Sequence, residues 1–549
     1  MNAPGWFSAS KCLGVSAPLV ALVVASPILV IAASVFSIES AAIWSHLRDT
    51  VLADYVTNSV LLMLGVGVLT LVLGVPAAWY TAVCEFPGRS VFVWALLLPL
   101  AFPAYIIAYT YTGLLEFAGP AQTLLRDLTG WKYGDYWFFP IRSLGGAIAM
   151  LGLVLYPYVY LLTRTAFLER STRAIEVSRT LGYSVPRSFF QLAIPLARPA
   201  IVAGVSLALM ETLADYGTVQ YFGLSTFTTG IFRAFYGFDD LTAASQLSAT
   251  LLAFVALLIY LERYSRRKAR YDAGGRSMHE HRIRLTGWQA AWAWVGCLAP
   301  VLLGFIVPAA VLLKWALRDA RWEGASFLSL MWNSFYLAFL AALIAVAMAL
   351  VLGYAKRNAR TRPVRLSVDV SGLGYAIPGA IIAVGVIVPL AWLDHRLIGV
   401  VRFLSGEEMG LLLSGTIVAL LFAYTVRFLA VSLGAVQAGL EKIKPSLDYA
   451  ARSLGRRPTE VLRQIHVPLL RGTVFTALLI VFVDVLKELP ATLILRPFNF
   501  NTLAVRAYEL ASDERLADAS VPSLLIVLVG IGPVILLSRT ISRDRSRSE

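Results

Sequence analysis

Residues 175–201 read IEVSRTLGYSVPRSFFQLAIPLARPAI, a polar and basic stretch set between two long apolar runs. Residues 448–474 read DYAARSLGRRPTEVLRQIHVPLLRGTV and align with it without a gap. Gly182 falls on Gly455, Gln191 on Gln464, Pro195 on Pro468 and Arg198 on Arg471, each 273 residues further on. A fixed offset over such a length marks an internal repeat. The repeat reaches beyond these stretches. Asn58-Ser59 echoes Asn333-Ser334 and Pro103-Ala104 echoes Pro378-Gly379, both at an offset of 275.

The chain of 549 residues is 58% hydrophobic and only 15% charged, with a mean hydropathy of +0.72. A soluble domain carries about 25% charged residues. This deficit, with repeated apolar runs about 20 residues long, places the chain in a bilayer. Its net charge of +14 does not point to nucleic acid, because Lys and Arg sit in short loops between apolar runs. Cys12, Cys84 and Cys297 are far apart and lack metal or disulfide spacing. The five histidines show no H-x3-H or HExxH pattern, so no metal site is assigned to them. The first apolar run follows Lys11 and is too long for a signal peptide, so a retained anchor is expected.

Twelve spans are expected. Six lie near 13–38, 58–82, 91–117, 143–163, 200–222 and 243–261. Six more lie near 291–317, 334–355, 366–393, 412–433, 473–495 and 522–538. Continuous apolar runs favour helices over the alternating strands of a barrel. The basic loops, including both repeated stretches and the tail, fall on one side when the N-terminus is threaded inside. That positive-inside pattern predicts a multi-pass protein with both termini and both repeated stretches in the cytoplasm. The fold class is therefore an all-α membrane protein of about twelve transmembrane helices in two parallel six-helix repeats. The first half spans 1–261 with a core at 58–261, and the second spans 287–549 with a core at 333–538. Residues 262–286 are charged, contain Gly274 and Gly275, and read as a flexible cytoplasmic linker.

Each repeated stretch reads as a helical elbow. A short helix ends at Gly182, since glycine accepts the left-handed conformation that closes a helix. A second opens near Pro186 and is expected to stop before Pro195. Gly455 and Pro468 repeat the arrangement. Two knobs of this kind suit a two-fold partner. The pattern E-V-S-R-T-L-G followed by A-I-P-L-A-R-P, and Y-A-A-R-S-L-G followed by H-V-P-L-L-R-G, resembles the motif of permease subunits of ATP-binding-cassette importers. The resemblance covers nearly the whole chain and implies a type I importer permease. In that family the elbow is a coupling helix seated in a groove of the ATPase. Carried over by position, the coupling residues are Glu176, Gly182 and Pro195 in the first copy, with Arg179 at its edge. In the second they are Ala450, Ala451, Gly455 and Pro468, with Asp448 adjacent. Val177 and Ser178 replace the two alanines of the motif, and Tyr449 stands in the glutamate column with Asp448 beside it.

Two fused halves, with YGTVQYFGLSTFTTGIFRAF at 216–235 and ELPATLILRPFNFNTLAVRAY at 488–508, look like ferric-iron importer permeases. The resemblance implies two copies of an ATPase subunit on the cytoplasmic side and a periplasmic or extracellular solute-binding protein. Membrane lipid is the remaining partner, and nucleic acid is none. No G-x-x-x-x-G-K-[ST] loop occurs, so no cofactor is expected on this chain, no catalytic residue is assigned, and ATP is expected to be used by the partner. Permeases of the same family for other small solutes look similar. A proton-coupled twelve-span secondary transporter is the alternative class, although it would not need paired elbows.

Four carboxylates stand inside the spans. Glu211 and Asp215 lie four residues apart on one helical face, and Asp484 and Glu488 repeat them. Such residues face a cavity or a partner, and oxygen ligands suit a hard cation. A translocation pathway is one reading. Internal pairing with Lys487 or Arg427, or capping of helix breaks at Gly217 and Pro490, is the other. The aromatics at 131–137 face outward in this topology and read as an interfacial belt or a contact for a delivery protein.

Overall fold

The structure, a computed structural model, describes residues 4–36, 45, 48–132, 134–168, 178, 180, 182–266, 282–321, 324–358, 361–405 and 410–546. Those residues are almost entirely helical. Among the described residues ten helices are long and apolar enough to cross a membrane, and the number reaches twelve if each of two sharply bent helix pairs is one span. Counted that way, each of the twelve expected spans has a helical counterpart. The bent pairs are Arg89–Ala101 with Ala104–Thr129, at 91°, and Pro458–Leu469 with Arg471–Leu486, at 79°.

The echoed prolines mark one type of break. Phe102 precedes Pro103 and has ψ 127°, and Ile377 precedes Pro378 and also has ψ 127°. A residue before proline is pushed out of the helical region, so both the third and ninth spans start again at the proline. The fifth and eleventh spans break elsewhere. The helix Ile194–Ala214 stops at Asp215, and Gly217–Tyr221 follows; the helix Arg471–Leu486 stops before Glu488, and Pro490–Leu495 follows.

One expectation about the elbows fails. The first elbow's second helix does not stop before Pro195 but runs on, so that 185–214 forms one span. A π-type turn at Phe189–Ala193 makes this possible, and Leu462–His466 repeats it 273 residues later. Proline lacks an N–H and its ring crowds the preceding turn; the wider turn accommodates both.

The chain packs as two compact units. One contains residues 1–41, 231–250 and 323–505. There Gly324–Asn358 packs on Ile417–Glu441 and Arg471–Leu486, and the N-terminal helix Pro4–Ser34 lies on Gly379–Ser405. An added Cβ at Gly385 would sit 2.5 Å from the Pro27 carbonyl oxygen, so a small residue sets that approach. The other unit contains residues 42–230, 251–322 and 506–549. There Leu52–Val83 packs on Leu144–Ala166, Ile194–Ala214 packs on both, and Val307–Arg318 packs on Leu516–Ser546. The same three-helix core is thus built twice. Each unit, however, draws on both sequence halves, so the compact units do not coincide with 1–261 and 287–549.

Residues 267–281 of the linker lie outside the described residues. Its far end is held: Ile283 and Arg284 pair in parallel with Cys84 and Glu85, and Arg282 meets Glu85 at 3.2 Å. The linker's free length is accordingly shorter than 262–286.

Candidate functional site

Glu176 and Arg179 lie outside the described residues. So do residues 169–175, 177 and 181, and the comparison of the two elbows rests on Ser178, Thr180 and the residues from Gly182 onward. Gly182 has φ 81° and Gly455 has φ 74°. The N–H of Tyr183 donates to the Ser178 carbonyl at 3.0 Å, and that of Arg456 donates to the Ala451 carbonyl at 3.1 Å. These are equivalent six-to-one bonds closing a helix over a left-handed glycine. Both elbows rest on an aromatic side chain at matching positions of the second and eighth spans. Trp79 packs edge-on against Phe189 at 5.0 Å, and Tyr354 against His466 at 5.3 Å. Ala451 is buried with Tyr354 and Val461, which explains a small residue there. Pro195 and Pro468 follow the π-turns in both copies. Ala450 supplies the carbonyl that accepts from Leu454 N–H at 3.1 Å.

Asp448 does not face outward. One oxygen lies 2.6 Å from His466 Nε2 and the other accepts from Arg357 Nε at 2.8 Å. Arg357 also donates to the carbonyls of Leu440 and Ile443. The second elbow is therefore pinned to the end of the eighth span by an acid, an imidazole and a guanidinium. In the first copy Ile175, Ala193 and Ala82 occupy the corresponding sequence positions, and Ser178 bonds Ser188 across the elbow at 2.8 Å. The exposed face of the second elbow carries Tyr449 and Leu454, at 66% and 80% exposure. Arg357 and His466 escaped sequence reasoning. Arg357 is far away along the chain, and His466 was weighed only for metal spacing.

The intramembrane carboxylates divide into two kinds. Asp215 caps the helix after its break: Oδ1 accepts from the N–H groups of Thr218 and Val219 at 3.0 and 3.2 Å, and Oδ2 from Thr218 Oγ1 at 3.0 Å. Glu488 does the same one repeat later. Its Oε1 accepts from Ala491 N–H at 3.2 Å and its Oε2 from Thr492 N–H and Oγ1 at 3.1 and 3.0 Å. Glu488 also accepts from Arg427 Nη1 at 2.7 Å, in a pair that is almost fully buried. Where Glu488 has Arg427, Asp215 has Val154 at the corresponding position, and no ion pair of Asp215 occurs among the described residues. Asp484 pairs with Lys487 at 2.8 Å. Glu211 is half-buried on the fifth span and takes no part in the cap.

The Asn-Ser echo holds the segments that follow these caps. Asn58 donates to the Ser225 carbonyl at 2.9 Å and Ser59 accepts from Phe227 N–H at 3.4 Å. Asn333 donates to the Asn501 carbonyl at 3.4 Å and Ser334 accepts from Leu503 N–H at 2.7 Å. In each copy the second span of a half thus fastens the chain just beyond the broken span. Thr228 Oγ1 also donates to the Asp215 carbonyl at 2.8 Å. A small pocket beside it is lined by Ser59, Thr212, Thr226 and Thr228 together with apolar side chains such as Leu62, Leu213 and Phe227. Tyr216 and Tyr508 lie near Asp215 in the same unit, with ring centroids 6.0 Å apart and their side chains hydrogen-bonded. Trp131 and Trp137 are exposed, as expected of either reading of that stretch. Among the described residues no three His, Cys, Asp or Glu side chains converge on a metal position.

Residues 67–271 match the family described as binding-protein-dependent transport system inner membrane component. An Fe(3+)-transport system permease protein of Haemophilus influenzae is 28% identical over 499 residues, covering 89% of this chain and 90% of the relative. A ferric transport system permease protein of Actinobacillus pleuropneumoniae is 23% identical, covering 80% of this chain and 64% of the relative. The molybdenum transport system permease protein of Escherichia coli is 29% identical, covering 40% of this chain but 99% of itself. That relative is about one half of this chain in length, in keeping with a two-repeat layout. The matched domain, the near full-length similarity and the helical count together make the chain a multi-pass membrane protein similar to inner-membrane permeases of the ATP-binding-cassette importer type.

Proposed function

We propose that this chain is the transmembrane permease of an ATP-driven ferric-iron importer. The observation that carries the proposal is the duplicated elbow, closed by the same bond over a left-handed glycine in both copies. In this reading both elbows and both termini lie in the cytoplasm. Two copies of a separate ATPase subunit hold the elbows, and a solute-binding protein delivers cargo to the opposite face. Closure of the ATPase pair moves the elbows, and the helices that follow them switch access. The ferric assignment is supported by similarity to ferric permeases along most of the chain and by carboxylates and phenols at the span breaks. Hard oxygen donors suit a hard cation, and the carboxylates among them would repel an oxyanion such as molybdate.

The test replaces Gly182 and Gly455 together by alanine. A left-handed non-glycine residue costs about 1–2 kcal/mol, and nothing within 4 Å crowds either position, so the strain is local. Iron uptake by cells carrying the whole transporter should fall while the chain stays in the membrane and its capture of the ATPase weakens. Uptake in the parent should stop on ATP depletion and survive collapse of the proton gradient. Uptake that follows the proton gradient instead would establish the secondary-transporter alternative.

A further inference from the structure

The two capping carboxylates are related by the repeat but are not equivalent as ligands. A carboxylate has about four acceptor positions. Glu488 fills all four, two on each oxygen, and one of its donors is a cation. Asp215 fills three and keeps one on Oδ2. Glu488 is thus neutralised and saturated, whereas Asp215 is an uncompensated charge at a span break. A charge at membrane depth with no counter-ion is costly, and such residues face polar cavities and cargo.

The surroundings of Asp215 supply more oxygen donors. Tyr508 lies within electrostatic reach of the Asp215 carboxylate and hydrogen-bonds both Ser512 and Tyr216, the residue that follows Asp215. Tyr105 packs edge-on against Tyr508 at 6.2 Å and fixes its ring. Tyr216 is 9% exposed, and Thr228, which donates to the Asp215 carbonyl, also lines the small pocket beside it. In the other copy the matching positions are Leu489 for Tyr216 and Arg427 for Val154, and neither is an oxygen donor.

We propose that Asp215 Oδ2 and the phenol oxygens of Tyr216 and Tyr508 form a transit site for ferric iron, and that Glu488 never touches the cargo. This rests on the ferric reading above. On binding, each phenol that ligates the ion releases its proton to water, forming one iron–oxygen bond per proton lost. The iron stays trivalent throughout. Release toward the next site reverses the exchange. Tyr105 is a positioning residue.

The purified full-length chain in detergent is titrated with ferric nitrilotriacetate and followed by the visible absorption of an iron–phenolate bond. The band should appear in the parent and vanish in the Tyr216→Phe, Tyr508→Phe double variant. Iron affinity should fall about tenfold or more in Asp215→Asn. Glu488→Gln should lower the melting temperature and leave the affinity of the folded fraction unchanged. No band in the parent, a band that survives loss of both phenols, or affinity lost with Glu488→Gln but kept with Asp215→Asn overturns the site. Cellular uptake separates this from the function itself. Iron uptake without a band removes the site and leaves the ferric permease; a band without iron uptake leaves the site and removes the ferric permease.

Discussion

Gly379 has no side chain because two charged groups occupy its place. A Cβ there would run into Arg427 Nη1 and Glu488 Oε1 and would lie 3.4 Å from the Ala491 N–H. The equivalent residue is Ala104, and in that copy the guanidinium is replaced by Val154. Glycine, arginine and glutamate therefore go together in one repeat, and alanine, valine and aspartate in the other. Gly379→Ala should push Arg427 off Glu488 and destabilise the chain by about 1–3 kcal/mol, the usual range for overpacking. If the displaced guanidinium finds no other acceptor, the cost moves toward the 3–5 kcal/mol of a broken buried pair. Thermal unfolding in detergent measures it. Adding Arg427→Met and Glu488→Gln should recover most of the loss, because two removed charges leave neither one buried alone. A triple variant no more stable than Gly379→Ala would show that the glycine serves some other contact.

At the scale of the element, the second elbow combines a fixed base with an exposed face. Asp448, His466 and Arg357 hold the base; Tyr449 and Leu454 form the face. The two should fail differently. Arg357→Ala removes the donor to Asp448 and to two carbonyls, at about 1–3 kcal/mol for partners left unsatisfied. It should lower stability and uptake together. Tyr449→Ala leaves the base intact and should weaken ATPase capture with no change in melting temperature. Equal losses of stability in both would merge base and face into one structural unit. This division explains what was legible in the chain. The elbow's shape follows from local residues, a glycine with φ above zero and prolines at fixed spacing, and those stand in the sequence. The inward turn of Asp448 depends on Arg357, 91 residues away, and on a ring at His466 that local spacing does not connect to it. The carboxylate caps were legible for a similar reason, since Asp215 and Glu488 bond within four residues of themselves. Their inequality was not, because it turns on Arg427 reaching across 61 residues. The continuation of the helix through Pro195 was hidden too. A widened turn has no residue signature of its own, so proline read as a stop.

For the whole molecule, the repeat in the sequence and the compactness of the fold follow different boundaries. The first helix of the chain, Pro4–Ser34, belongs to the unit built on residues 323–505. The first helix pair of the second half, Trp288–Arg318, belongs to the unit built on residues 42–230. The last helix, Leu516–Ser546, lies in that same unit. Neither half of the sequence contains a complete unit. Residues 1–266 made alone would lack the helices that cover the 42–230 core and would leave their own first helix without its seat. Small-residue approaches such as Gly385 against Pro27 cross between the halves, so each half alone forfeits close packing rather than a solvent-driven contact. The linker, by contrast, carries Gly274 and Gly275 in a charged stretch with no apolar run. Cutting the chain between Gly274 and Gly275 and making both pieces together should therefore preserve the fold: the pieces should copurify and support iron uptake close to that of the intact chain. Each piece made alone should be degraded or aggregate. If residues 1–274 alone gave a monodisperse, cooperatively unfolding species, the halves would be independent domains and the exchanged helices would be accessory to them.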